Sequence, residues 1–315
     1  MANSPVTHLF NTVRGALIGT AEVVPGISGG TVALIVGVYE GLVKSAGHTI
    51  SGIRLAVADL PRKQGLGRAK AEFGQADWTL ILTVLAGMAV AVVLAARFVA
   101  PLVETYAIES YGLFFGLVLA SLWVPYSMSG RRWGSYDYAV ALLFAVIAFI
   151  LTGVPPAHVE PVPLVVAVAA AVAICALVIP GMSGSFILLT FGLYGPTMNA
   201  LNERDLGYIA TFAAGAIVGL ACFVKLLQWL LDNRRHMTLV IMTGVMAGSL
   251  RALWPWQDDA RGLTLPTEAA AVTFGLMAVG FVVVVGIMVL EHLVKKPAPA
   301  AVESEPVDSG QHRSS

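Results

Sequence analysis

Charge is what this 315-residue sequence has least of. Only 12% of its residues are charged, while 57% are hydrophobic. A soluble domain carries about a quarter charged residues, so a soluble globular fold is excluded. Cysteine is nearly absent. Cys175 and Cys222 both lie within apolar runs and read as small buried hydrophobes. No C-x-x-C pair occurs, and the six histidines are scattered without ligand spacing. No metal site and no cofactor are expected. The net charge of zero carries no information on partners, and no nucleic-acid partner is expected. The segment Met1 to Arg14 lacks the basic region, apolar core and small-residue site of a cleavable signal. The first membrane element is therefore expected to be retained.

What is present is a series of apolar runs near or above the ~20 residues that span a bilayer. The first covers Arg14 to Val43. A polar stretch from about Lys44 to Asp77 follows and reads as a long loop. Three runs then lie near 78–100, 110–127 and 137–153. A further run covers about 163–200, and three more lie near 208–231, 238–254 and 268–294. The pattern predicts an all-α polytopic integral membrane protein with about six transmembrane helices, forming a single transport domain over 1–296. The tail, 297–315, is rich in Pro, Ala, Ser and Glu and reads as disordered.

Two of the runs are interrupted. The first contains Pro25-Gly26-Ile27-Ser28-Gly29-Gly30-Thr31 and the other contains Pro180-Gly181-Met182-Ser183-Gly184-Ser185. Proline removes a backbone donor and glycine relaxes the helix. Irregular backbone at membrane depth is tolerated only inside protein or beside a polar cavity. A pair of breaks in corresponding places points to a transporter site.

The halves also repeat. A shift of 155 carries Pro25, Gly26, Ser28, Gly29, Gly37 and Tyr39 onto Pro180, Gly181, Ser183, Gly184, Gly192 and Tyr194. A shift of 128 carries Gly87 onto Gly215, Glu104 onto Asp232 and Gly116 onto Gly244. The first repeat runs over about 11–153 and the second over about 163–294. Suppose that each broken run enters and leaves on one face. With a cytoplasmic N-terminus, the Lys44–Lys70 group, Arg131-Arg132, Arg234-Arg235 and Lys295-Lys296 then fall inside. Only Arg204 and Arg261, plus Arg251 at a helix end, fall outside. That is a positive-inside bias. It predicts two re-entrant hairpins approaching from opposite faces of an inverted-topology repeat, with both termini cytoplasmic.

In each hairpin Pro25-Gly26 or Pro180-Gly181 ends the inbound helix. Ser28 is placed to cap the outbound one, which begins near Gly29, Gly30 and Thr31. The unpaired N–H groups of a helix start attract an anion. Ser183, Gly184 and Ser185 would form the mate of that site. The competing reading is that these small residues only let the hairpins pack. Arg97 falls on Lys225 under the shift of 128. The pair reads either as snorkelling cations or as guides for an anionic headgroup, one per face. Glu22 is a carboxylate at membrane depth, a functional candidate by default. Its equivalent is Leu177. It is a candidate for proton coupling or for an ion pair with Arg14.

Glu22-x-x-Pro-Gly-x-Ser-Gly-Gly-Thr, then Gly37-Val38-Tyr39-Glu40, then Pro-Gly-Met-Ser-Gly-Ser with Gly192-Leu193-Tyr194, resembles the PopT-type undecaprenyl-phosphate translocases. That bacterial family was formerly a membrane domain of unknown function. The resemblance covers about Asn11 to Leu293. It implies flipping of a polyprenyl-phosphate lipid from the outer to the inner leaflet of the cytoplasmic membrane, for reuse in cell-envelope synthesis. Under it, membrane lipids are the remaining partners and no enzyme activity is expected. Two alternatives stand beside it. One is a small-anion transporter or channel. The other is a membrane lipid-diphosphate phosphatase, against which stand Gly29 and Gly184, where such an enzyme carries Arg.

Overall fold

The computed structural model describes residues 5–23, 28–61, 65–155, 159–258, 260–267 and 269–294. Pro25, Gly26 and the tail 297–315 lie outside the described residues. The chain begins with α1 (Pro5–Val23) and the short α2 (Gly29–Ile35). Then come α3 (Tyr39–Asp59), α4 (Gly67–Gln75), α5 (Trp78–Thr105), α6 (Ala107–Ser121), α7 (Trp123–Met128) and α8 (Ser135–Thr152). The second half runs through α9 (Pro163–Val178), α10 (Gly184–Thr190), α11 (Tyr194–Glu203), α12 (Leu206–Asn233), α13 (Arg235–Ser249) and α14 (Ala270–Val294). Among the described residues six segments are long and apolar enough to cross a membrane: Trp78–Val99, Ala107–Met128, Ser135–Thr152, Leu206–Asn233, Arg235–Leu253 and Ala270–Val289. They fall where the six unbroken runs were read. The protein is an all-α, multi-pass membrane protein.

The polar stretch after the first broken run is a correction to the expectation of a loop, because it folds as α3 and α4. Buried Tyr39, Val43 and Gly47 recur every four residues along α3, a helical period that the surrounding charges mask. The charged face is paired. His48 meets Glu72 at 2.9 Å, Arg68 meets Asp59 at 3.4 Å, and Lys44 lies 3.8 Å from Asp232 on α12.

Lipid-embedded helices gain little from burying apolar side chains against one another, so close backbone approach has to hold them. Four long interfaces do this in the same way. α1 packs on α5, α9 on α12, α6 on α14 and α8 on α13. Each carries a G-x-x-x-G pair: Gly15/Gly19, Gly215/Gly219, Gly112/Gly116 and Gly244/Gly248. A Cβ at any of these would strike the facing helix, as at Gly215 against the Ala167 carbonyl or Gly116 against that of Met277. The outward faces are greasy. Leu82, Val93, Leu142, Ile217 and Val282 are all well exposed, as suits a surface in contact with lipid tails.

The core sits on α13, the most buried of the six spans. Leu239, Met242 and Met246 of α13 join Ile18, Leu34, Val38 and Tyr39 from the first broken pair, with Val84 and Leu227. The first broken pair is thus anchored in helices of the second half as well as its own.

Candidate functional site

The first tip is built around Ser28. Its backbone is extended, and its Oγ accepts from the Thr31 N–H at 3.3 Å, so it caps α2 as its position suggested. The same hydroxyl donates to the Ile179 carbonyl, also at 3.3 Å. One turn before the break, Glu22 Oε1 accepts the Gly29 N–H at 3.0 Å. The start of α2 is therefore already capped by a carboxyl oxygen from its own chain. A Cβ on Gly29 would overlap that carboxyl group, so glycine leaves room for it. Arg14 is not Glu22's partner. It bonds Asn11 Oδ1 at 3.2 Å, two turns away, and no ion pair joins the two among the described residues. The spacing permitted the pair, but the side chain of Glu22 turns toward the break instead.

The two tips meet. The Gly181 N–H donates to Thr31 Oγ1 at 2.7 Å, and the Tyr39 hydroxyl donates to the Val178 carbonyl at 3.0 Å. With Ser28 to Ile179, three bonds join segments about 140–150 residues apart. The physical reason lies in the second break. The last carbonyls of a helix have no intrahelical partner, and those of Val178 and Ile179 are satisfied by hydroxyls from the first tip. The chain turns at Gly181 with φ +90, where a Cβ would also press on Met246 Cα at 2.8 Å. Ser183 stands at the cap position of α10 without making a cap bond. Its Oγ lies 2.8 Å from that of Ser185.

A cavity borders each tip. One, of about 190 Å³, is lined by Ile18, Glu22, Gly30, Tyr39, Leu177 and Val224 among others. The second, of about 320 Å³, is lined by Tyr111, Ser185, Tyr194, Trp254, Gln257 and Arg261 among others. No residue lines both. Positions equivalent under the shift of 155 recur in them, Gly30 with Ser185 and Tyr39 with Tyr194. Their charges differ. The smaller holds a carboxylate, and the larger holds a guanidinium. Burial pulls the Arg261 pKa below its ordinary value, with the Tyr111 phenol acting weakly the other way.

Arg97 and Lys225 are placed away from both cavities. Arg97 is exposed, with its guanidinium 5.9 Å from the Phe98 ring centre, which is the snorkelling arrangement. Lys225 donates to Gln228 Oε1 at 2.9 Å, and that oxygen lies against Gly47 of α3. The two cations occupy matching positions in the sequence but meet different surroundings. Arg261 was passed over in the sequence because it stands in a loop, counted only for topology. The available signal was its isolation, as the sole Lys or Arg between Arg251 and Lys295 in the sequence. Among the described residues no group of three or more His, Cys, Asp or Glu is arranged to hold a metal.

The sequence model of the VCA0040-like, undecaprenyl phosphate translocase-like family matches residues 18–272, which takes in both tips and the Arg261 loop. The chain belongs to the undecaprenyl phosphate translocase-like family. A polyprenyl-phosphate transporter of Vibrio cholerae serotype O1 is 34% identical over 259 residues, covering 82% of this chain and 81% of that one. A polyprenyl-phosphate transporter of Staphylococcus aureus is 27% identical over 298 residues, covering 87% and 94%. No solved structure matches the chain significantly. Family membership fits the motif-level resemblance described above, and it sets the two-tip junction in a membrane transporter family.

Proposed function

We propose that this protein flips undecaprenyl phosphate from the outer to the inner leaflet of the bacterial cytoplasmic membrane, returning the carrier lipid for cell-envelope synthesis. The observation that carries this reading is the junction itself. Two broken helix pairs hydrogen-bond tip to tip, and a separate cavity borders each tip. A bare phosphate is costly to move through hydrocarbon, and a gated passage lined by hydroxyls, amides and an arginine lowers that cost while the prenyl tail stays in lipid. The headgroup passes from the larger cavity through Ser183, Gly184 and Ser185, then past Ser28, Gly29, Gly30 and Thr31 to the smaller one. The closed junction is one state of an alternating cycle, and Glu22 couples opening to a proton.

The reading includes an inverted repeat with both tips re-entrant, both termini cytoplasmic and the Arg261 loop outside. For the repeat the support is geometric: Gly87 packs on the Thr12 carbonyl and Gly215 on that of Ala167, so each glycine and the residue it meets recur under the shifts of 128 and 155. For the orientation the support is the distribution of Lys and Arg. No hydrolytic step is involved, since Gly29 and Gly184 follow the tip serines.

The test is a reconstituted assay of C55-phosphate exchange between leaflets of proteoliposomes, with and without a pH gradient. Exchange well above protein-free vesicles, faster with the gradient, is expected. Exchange at the protein-free rate overturns the reading, and release of phosphate from the lipid diphosphate would replace it with a phosphatase.

A further inference from the structure

Arg261 is held in a way that mere loop packing does not require. Its backbone is left-handed, with φ 63, a conformation that costs a residue other than glycine about 1–2 kcal/mol. Strain of this kind persists only where the surroundings impose it. Here they do. The loop is closed by Asp258 N–H to the Gly262 carbonyl at 3.0 Å and by Gly262 N–H to Asp258 Oδ1 at 2.6 Å. Gln257 Nε2 donates to the Trp254 carbonyl at 2.7 Å, and Trp254 Nε1 to the Thr264 carbonyl at 3.1 Å. Arg251 Nη2 donates to the Arg261 carbonyl at 3.2 Å.

The side chain so positioned lies over the second tip. Its guanidinium carbon sits 4.2 Å from the centre of the Phe186 ring. Nη1 donates to the Val154 carbonyl at 3.1 Å and to Thr190 Oγ1 at 2.9 Å. Nη2 is shut off from solvent and has no hydrogen-bond partner among the described residues. A cation with an unused, desolvated donor is an unfinished anion site, since guanidinium matches phosphate oxygens two at a time. The cavity it lines also presents Ser185, Tyr194 and Gln257, with Ala107, Leu189 and Pro255 as apolar walls. That combination suits a phosphate monoester on a hydrocarbon chain.

We propose that Arg261 binds the phosphate monoester headgroup in the larger cavity, and does so by giving up its contact with Thr190 of α10. This rests on the transport reading above. Binding would then loosen the outbound helix of the second tip from the loop that covers it, linking headgroup arrival to opening of the junction.

The experiment is calorimetric titration of the purified full chain in detergent with farnesyl phosphate, with farnesol and inorganic phosphate as separate arms. R261Q is expected to weaken farnesyl phosphate binding roughly ten- to hundredfold, and R261K to weaken it less, because charge remains but the planar fork is lost. T190V removes a competing acceptor and is expected to tighten binding a few-fold, which a purely structural arginine would not predict. R204Q, an exposed cation elsewhere, is expected to bind as wild type. Should R261Q fail to fold, R261K and T190V decide. Wild-type binding that is undiminished in R261Q or R261K, or not tightened in T190V, overturns the Arg261 assignment alone. Inorganic phosphate binding as tightly as farnesyl phosphate overturns the lipid-headgroup class. Absence of farnesyl phosphate binding to wild type removes the assignment and the transport reading together.

Discussion

The two tips share a motif and differ in charge. The first is closed on itself, with Glu22 on the Gly29 amide, Ser28 on the Thr31 amide, and Thr31 and Tyr39 reaching across to the other break. The second supplies backbone groups to that contact, while among the described residues its own serines are joined to each other, Ser183 to Ser185. Leu177 stands where the first tip has Glu22. The cation near the second tip comes from outside the motif, on the 254–264 loop. The motif that recurs in the two halves thus stands beside a carboxyl group at one tip and a guanidinium at the other. The difference teaches that matched sequence positions report matched backbone, while the ligand chemistry resides in the residues that do not match.

The sharpest way to break this comparison is to exchange small for large at each cap. Ser28 is almost fully buried and bonds both its own helix and Ile179. S28L removes a cap worth about 1 kcal/mol and overpacks the junction by about 1–3 kcal/mol. Transport is expected to fall roughly tenfold or more, with a clear loss of thermal stability. S183L is expected to lower transport comparably with a smaller stability loss, because among the described residues the Ser183 hydroxyl bonds Ser185 and not the first tip. Equal stability losses in detergent melts would contradict the asymmetry. A wild-type rate of leaflet exchange in either variant, at matched expression, would contradict the site.

Next is Glu22. E22Q keeps an acceptor for the Gly29 amide, so stability should change by less than about 1 kcal/mol, while the acceleration of exchange by a pH gradient is expected to vanish. E22L copies the second tip and leaves the amide unsatisfied, at a cost of about 1–3 kcal/mol. An E22Q protein whose exchange still responds fully to the gradient would remove Glu22 from coupling.

G181A tests the turn of the second tip. A left-handed alanine costs about 1–2 kcal/mol, and its Cβ would crowd Met246. A melting temperature lowered by a few degrees is expected, and an unchanged one would mean the turn can relax. The smallest effect separates the two tyrosines. Y39F loses the bond to Val178, about 0.5–1.5 kcal/mol. Y194F, whose hydroxyl has no comparable bond to the first tip, is expected to melt near wild type. Equal shifts would deny that the junction is one-sided.

Much of the site was legible in the chain because it depends on neighbours. Pro-Gly followed by Ser-Gly announces a break and a cap within one turn, and Ser28 does cap α2. Within the stretch read as a loop, the helices α3 beyond Val43 and α4 were missed because charges on one face hid a four-residue spacing on the other. Arg261 was missed for a different reason. Its role depends on Phe186, Thr190 and Val154, which lie 71 or more residues away, and no local pattern encodes that meeting. The Arg97–Lys225 pair shows another limit. The sequence left snorkelling and headgroup guidance open for both, and neither side chain lines a cavity in the closed junction.

By itself the sequence determined the membrane class, the six spans and the two breaks. These follow from hydrophobic length and from the backbone limits of proline and glycine, both of which are local. Only the tertiary structure decided that the tips bond to each other, that Glu22 turns to Gly29 and not to Arg14, and that a loop arginine lies over the second tip. Those outcomes depend on which carbonyls and amides a break leaves unsatisfied and on which distant hydroxyl or charge reaches them. Packing of the four glycine-bearing interfaces sets that geometry.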